Sequence, residues 1–319
     1  MILLLGAAGY IGTAFAEELA KRGSDFRQIS RSEVDYTRFG PLLDLLRSTR
    51  PEFVVNCAGF TGRPNVDACE TAKAETLHGN ALLPQTIAHA CAAAGIPWGH
   101  ISSGCIYTGA KVRGADGIWR IETDLMERDV LEAIQADRGC LQGFTEEDTP
   151  NFSFRSPPCS FYSGTKALGE EAMLGIGESY IWRLRIPFDR HDGARNYLSK
   201  VQRYAKVYEN VNSISHRGDY ASACLDCWEK RVPWGIYNVT NPGWVTTRDV
   251  VELVRKYVAP HRTFEYWGND TEFYRAAAKT PRSNCVLDSR KLLAAGVQIR
   301  SVDEALEQSL KNWIPEVSR

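Results

Sequence analysis

Short apolar runs alternate along the chain with longer stretches whose apolar residues recur every three or four positions. The run "ILLL" is apolar throughout and predicts a strand covered on both faces. "TAFAEELAKRG" then shows helical period and closes on Gly23, a residue suited to a helix C-terminus. "DFRQIS" predicts a second strand, and "FGPLLDLLRSTRP" a helix stopped by Pro51. A short third strand is predicted near "EVDY", and a fourth at "FVVNCAG". A helix at "NALLPQTIAHACAAAG" and a strand at "WGHISSG" follow. Strand–helix alternation at this spacing predicts an α/β fold, a Rossmann-like doubly wound parallel sheet with right-handed crossovers.

The pattern changes near Lys111. From there to Cys140 the chain is rich in charge and shows no clear partner strand, so it reads as an insertion carrying a helix at "LMERDVLEAIQA". A Pro/Ser-rich loop, "TPNFSFRSPPCS", leads to the helix "FYSGTKALGEEAML" and the buried strand "YIWRLRIPF". Beyond it the alternation loosens. "RNYLSKVQRYAKV", "TTRDVVELVRKYV" and "VDEALEQSLKNWI" read as helices separated by short strands such as "GIYNVTN". The expected division is a dinucleotide-binding domain over 1–187, with its insertion at 111–140 and a returning segment at 213–242. A smaller discontinuous α/β C-terminal substrate lobe takes 188–319.

Composition narrows the function classes. The 319 residues are 44% hydrophobic, enough for a large core. Net charge is -1 with no basic stripe, which argues against nucleic acid and acidic membrane surfaces as partners. "MILLLG" is too short for a signal or spanning segment, and the 9 cysteines lack framework spacing. Reduced thiols and a cytoplasmic location are expected. The pair Cys224 and Cys227 has no companion Cys-x-x-Cys and lies in a helical pattern, so it reads as core and no metal site is expected.

"GAAGYIG" places Gly6, Gly9 and Gly12 between the first strand and a helix. Glycines there allow a tight turn and close backbone approach, and the helix N-terminus offers free N–H groups to a pyrophosphate. An acid that would bind a ribose 2′-OH is expected at the end of the second strand, but Ser30 and Arg31 stand there. Arginine suits a 2′-phosphate, which predicts NADPH, with NADH as the alternative. Tyr162 and Lys166 form Tyr-x-x-x-Lys and share a helix face. A neighbouring ammonium lowers a phenol's pKa, so the phenol can exchange a proton with a substrate oxygen.

With these motifs, the chain resembles the extended short-chain dehydrogenase/reductase family. Within it the chain is most similar to reductases of 4-keto-6-deoxy sugar nucleotides, on "NCAGFTGRPNVDACE", "SGCIY", "EEDTPNF", "SFYSGTKA", "RNYLSKVQRYAKV", "GIYNVTNPG" and "PRSNCVLDSRKL". The plant 3,5-epimerase/4-reductases of UDP-rhamnose synthesis are especially alike. The dTDP-4-dehydrorhamnose reductases and GDP-fucose synthases are also similar. The resemblance implies Ser103 as the hydroxyl beside Tyr162, and Cys105 and Lys200 as the acid–base pair that epimerises C3 and/or C5. Which of the two abstracts and which donates stays open. Chemically, the C4 ketone acidifies both C–H bonds, a neutral thiol can donate, and a lysine can abstract once its pKa is depressed. Gly104 and Cys105 stand where a 4,6-dehydratase would carry an acidic pair, which disfavours dehydration.

The expected cofactor contacts are Gly6, Gly9, Tyr10, Ile11, Gly12, Arg31, Asp35, Cys57, Ala58, Gly59, Tyr162 and Lys166. The expected substrate contacts are Gly62, Arg63, Asn65, Ser103, Gly104, Cys105, Arg195, Asn196 and Arg282. Asp67 and Glu70 read as helix-capping residues. Ala68 replaces the tryptophan of the family's motif. The insertion departs from the family and has two readings, a change of sugar specificity or a homodimer contact. The partner class is a UDP-, dTDP-, GDP- or CDP-linked sugar. Three alternatives remain open: Cys105 as core filling, a 4-reductase without epimerisation, and a non-catalytic regulatory subunit of this fold.

Overall fold

The structure is a computed structural model that describes residues 1–316. In chain order its main elements are β1 (Ile2–Leu5), α1 (Tyr10–Lys21), β2 (Phe26–Ile29), α2 (Phe39–Thr49), β3 (Phe53–Asn56), α3 (Leu83–Ala94) and β4 (Trp98–Ser103). Then come α4 (Phe161–Met173), β5 (Ser179–Leu184), α5 (Arg217–Glu229) and β6 (Gly235–Asn238). The strands form one 6-stranded sheet in the order β6–β5–β4–β3–β1–β2. β1 pairs in parallel with both β2 and β3, and β3 with β4. Strand order therefore reverses at β1, which opens a crevice beyond the carboxyl ends of β1 and β3, where such sheets bind ligands.

The apolar runs explain the layers. Every residue of β1, β3 and β4 is buried. Leu3, Leu5 and Val54 pack with Leu42 and Leu46 of α2 and Ile87 of α3 on one face. On the other, the Phe53 ring stacks 4.3 Å from Trp228, and Trp182 lies 6.2 Å from Phe53. Gly99 makes room for that tryptophan: a Cβ at residue 99 would sit 2.0 Å from the Trp182 ring. Gly99→Ala is expected to destabilise the protein by about 1–3 kcal/mol through overpacking, read as a fall in the urea midpoint with unchanged slope.

The strand expected near "EVDY" does not form. Glu33 and Val34 both donate their N–H groups to the Ser30 carbonyl, at 3.2 and 3.1 Å, closing a turn. Only Tyr36 of this stretch is buried, and β2 is already the sheet's edge. Too little apolar surface is present to hold another strand.

Contacts divide the chain into two units. The first contains Met1–Ile106, Pro150–Arg183 and Ala221–Tyr237, and the second contains Tyr107–Thr149, Leu184–Tyr220 and the chain from Asn238 onward. In the second unit Phe188, Leu198, Val250, Val254, Leu306 and Leu310 form a core. Its helices Thr247–Tyr257 and Val302–Lys311 begin with capping boxes, Thr246 with Asp249 and Ser301 with Glu304.

The insertion, expected without a partner strand, supplies its own. Ala110–Arg113 pairs antiparallel with Trp119–Glu122 on one side and Leu141–Gln142 on the other. The helix within it is Arg128–Ala136, and Ile134, Val112 and Leu141 pack with Val211, Trp244 and Val286. The Arg138 guanidinium lies 4.2 Å over the Trp244 ring. The periodicity of the chain hides this sheet because its third strand has only 2 residues and pairs across a helix. No described helix is long and apolar enough to cross a membrane.

Candidate active site

The glycine loop and the end of β3 meet at the crevice. Gly6 has φ 73°, a left-handed conformation that suits glycine, and a Cβ there would lie 2.5 Å from the Ala58 nitrogen. Gly12 is as tightly held: its Cβ would lie 2.3 Å from the Gly6 carbonyl oxygen. Gly9 is the N-cap of α1 with no side-chain cap, so the helix start keeps N–H groups for an anion. Cys57 to Gly59 line the other lip, with Gly59 exposed and burial pushing the Cys57 thiol up. Glycine at 6 and 12 lets the loop close against the end of β3 and the start of α1 where a side chain would strike backbone, an arrangement that fits a dinucleotide pyrophosphate. At the end of β2, Ser30 and Arg31 are exposed. Asp35 accepts from Thr37 N and Oγ1, at 3.3 and 2.5 Å, in the turn that follows.

The Tyr-x-x-x-Lys helix is α4. Tyr162 is 8% exposed and Lys166 5%, one turn apart on the buried face. Lys166 Nζ donates to the Ile101 carbonyl at 3.1 Å, which fixes this face against the end of β4. Burial pushes the Lys166 pKa down to about 8, opposed chiefly by the Glu170 carboxylate. A Cβ on Gly59 would lie 4.0 Å from that Nζ, so the β3 lip backs the same ammonium. Asn80 ties these parts together. Its Nδ2 donates to the Phe60 carbonyl at 2.8 Å and to Thr165 Oγ1 at 3.3 Å, and its Oδ1 accepts from Phe60 N at 2.9 Å.

β4 delivers Ser103 at its last position, and Gly104–Ile106 form a short 3-10 turn after it. Ser103 is buried, and its Oγ accepts from Cys105 N at 3.2 Å, which orients the hydroxyl. Cys105 itself is half-buried, unlike the fully buried Cys91, Cys224 and Cys227. Below the site, Asn56 donates through Nδ2 to His100 Nδ1 at 3.0 Å. Burial, with the nearby Lys166 charge, holds His100 well below its ordinary range, as a neutral imidazole. The first unit thus gathers Ser103, Gly104, Cys105, Tyr162 and Lys166 at one strand end.

Glu70 caps a different helix from the one its spacing predicts. Asn65 caps the turn Val66–Glu70 through Asp67 N at 2.8 Å. Glu70 Oε1 instead accepts from Phe161 N at 2.8 Å, so it caps α4, the helix of Tyr162 and Lys166. Asp67 lends its backbone N–H to that first cap. Gly62 is buried at φ 68°, and Arg63 is exposed.

The second unit holds the remaining candidates. Lys200 lies in the helix Tyr197–Arg203 and is half-buried. Burial first, and the Arg195 guanidinium second, push its pKa below the usual lysine range. Asn196 is fully buried and caps this helix. Its Nδ2 donates to the carbonyls of Asp189 and His191, both at 2.7 Å, and its Oδ1 accepts from Leu198 N at 3.0 Å. That amide is spent on seating Lys200 and has no donor left for a phosphate. Arg282 is half-buried and donates its backbone N–H to Tyr274 Oη at 3.1 Å.

Asn80, Asn56, His100 and Glu170 join the site without a motif to announce them. Glu170 had a signal: it stands four residues after Lys166, on the same face. The asparagines and the histidine had none, since their partners lie on other elements far along the chain.

The profile of the RmlD substrate binding domain matches residues 1–130. A bifunctional dTDP-4-dehydrorhamnose 3,5-epimerase/dTDP-4-dehydrorhamnose reductase of Arabidopsis thaliana is 33% identical over 306 residues, 95% of this chain and 90% of that protein. Among solved structures, the UDP-rhamnose synthase of Acanthamoeba polyphaga mimivirus superimposes with a TM-score of 0.81 at 22% identity, over 98% of both chains. A dTDP-4-dehydrorhamnose reductase from Bacillus anthracis, in complex with NADP, gives 0.74 at 19% identity, over 96% of this chain and 97% of that one. The chain therefore belongs to the family of sugar-nucleotide reductases that includes the plant epimerase/reductases and the dTDP-4-dehydrorhamnose reductases, within the extended short-chain dehydrogenases/reductases.

Proposed function

We propose that the chain is an NAD(P)H-dependent reductase of a nucleotide-linked 4-keto-6-deoxy sugar that epimerises C3 and/or C5 before reducing C4. The observation that carries the reading is the buried Tyr162–Lys166 face of α4, held by Lys166 on the β4 end that bears Ser103. The activity of the Arabidopsis relative supports the substrate class, and the Bacillus complex supports an NADP cofactor.

When bound, the nicotinamide supplies the hydride for C4. The protons fall to the chain. Ser103 donates a hydrogen bond to the ketone oxygen, and Tyr162 gives that oxygen its proton as negative charge develops there. Lys166 holds the phenol acidic through its charge. Reduction therefore needs Lys166 protonated, and kcat/KM is expected to fall as pH rises through about 8. A pH profile on saturating NADPH checks this.

For epimerisation, Cys105 and Lys200 are the assigned acid–base pair. Lys200 suits a base because burial and Arg195 already favour its neutral form. A second reading, reduction without epimerisation, is supported by the likeness to the Bacillus dTDP-4-dehydrorhamnose reductase. A panel of UDP-, dTDP-, GDP- and CDP-linked 4-keto-6-deoxy sugars with NADPH tests the reading. Loss of nicotinamide absorbance with at least one is expected, and none with any member would end it.

Arg31 sets the cofactor choice in this reading. Arg31→Ala is expected to weaken NADPH binding by roughly tenfold, the worth of one charge-assisted hydrogen bond, and to leave NADH binding unchanged. Fluorescence titration of both cofactors measures the two constants.

A further inference from the structure

Beneath the catalytic face lies a buried ion pair that the reaction as drawn does not use. Glu170 is 4% exposed and Arg183, on β5, 3%. Arg183 Nε donates to both carboxylate oxygens at 3.1 Å, and one terminal nitrogen donates to Oε2 at 2.7 Å. Ser102 Oγ donates to Oε1. One carboxylate thus joins α4, β4 and β5. It stands one helical turn beyond Lys166, and its Ser102 partner immediately precedes Ser103.

A buried pair of this kind is an expensive way to gain stability, because desolvation of both ions offsets their attraction. What a hydrocarbon of equal volume would not supply is charge. We propose that Glu170 is a positioning residue of the active site: its carboxylate keeps the Lys166 ammonium charged and seats the strand end that carries Ser103.

The surroundings of Lys166 support this. On its own helix stand Tyr162 and Glu170. From β4 come the neutral His100, whose protonation the ammonium opposes, and the Ile101 carbonyl. From the turn after β4 comes Cys105, and from the β3 lip only the Gly59 backbone with the Asn80 amide behind it. Arg183 on β5 reaches the site through Glu170, to which it is bonded. Against burial, the Glu170 charge is the larger influence favouring the ammonium and Cys105 the smaller.

The role rests on the reading of Tyr162 and Lys166 as reduction machinery, but its test needs no substrate. Lysines carrying ¹³C at Cε are titrated by NMR, with Lys166 identified by its loss in Lys166→Arg. In the wild type its midpoint is expected near 8. In Glu170→Gln it is expected to fall by about one pH unit, the lower end of what an adjacent opposite charge commonly contributes. Glu170→Asp, which keeps the charge, is expected to restore most of the shift. Because Glu170→Gln leaves Arg183 buried without its carboxylate, the double variant Glu170→Gln/Arg183→Met is measured beside it and is expected to fold and to show a smaller fall in the same direction, since loss of the Arg183 charge partly offsets loss of the carboxylate. A midpoint that does not fall in the folded double variant, or that Glu170→Asp fails to restore, would overturn the proposal. If the midpoint moves but no 4-keto sugar is reduced, the functional reading fails and only the hold of Glu170 on the Lys166 charge stands. If sugars are reduced and the midpoint is fixed, the reverse holds.

Discussion

Tyr162→Phe is expected to lower kcat for ketone reduction by roughly 10²–10⁴-fold, the range lost with a positioned general acid. KM for the sugar nucleotide should change little, because the ring and its packing remain and only the proton donor is lost. The variant should fold normally: Tyr162 sits on a helix whose seat is set by the Lys166, Asn80 and Glu70 bonds, none of which uses the phenol. Steady-state kinetics at pH 7, with NADPH binding measured separately, distinguishes lost chemistry from lost cofactor. A kcat within tenfold of wild type would remove Tyr162 from the mechanism.

The second large effect concerns Cys105 and Lys200. Cys105→Ala or Lys200→Met is expected to slow exchange of the C3 and C5 hydrogens with solvent by roughly 10²–10⁴-fold. Reduction of a 4-keto sugar that already has the product's configuration should continue at near the normal rate, since Ser103, Tyr162 and Lys166 are intact. Proton NMR in deuterated buffer follows exchange directly. In the wild type, exchange should quicken as pH rises, because loss of the Lys200 proton makes the base, and burial with Arg195 brings that loss below the usual lysine range. Wild-type exchange at the rate of the variants would leave a plain 4-reductase.

Much of this was legible in the chain because it is local. The apolar runs of β1, β3 and β4 announce buried parallel strands, and the glycines of "GAAGYIG" sit where strand meets helix. Tyr162 and Lys166 are one helical turn apart, so their common face follows from spacing alone. What depends on distant partners was not legible. The "EVDY" stretch alternates like a strand, but a strand needs a neighbour and buried surface, and the chain closes a turn on Ser30 instead. The insertion's sheet draws on residues separated by a helix. Glu70 has a capping spacing after Asp67, yet it reaches across to Phe161, a partner 91 residues away. Asn196 looks in the sequence like a polar group beside an arginine, and burial makes it a cap.

One product analysis tests the central claim most directly. The chain is incubated with a UDP- or dTDP-linked 4-keto-6-deoxyglucose and NADPH deuterated at the transferable C4 position, in ordinary water, and the sugar is read by NMR and mass spectrometry. The account predicts one deuterium, at C4 of a 6-deoxyhexose, formed in step with cofactor oxidation and absent with Tyr162→Phe. A sugar recovered with its ketone intact, or reduced without deuterium at C4, would contradict it.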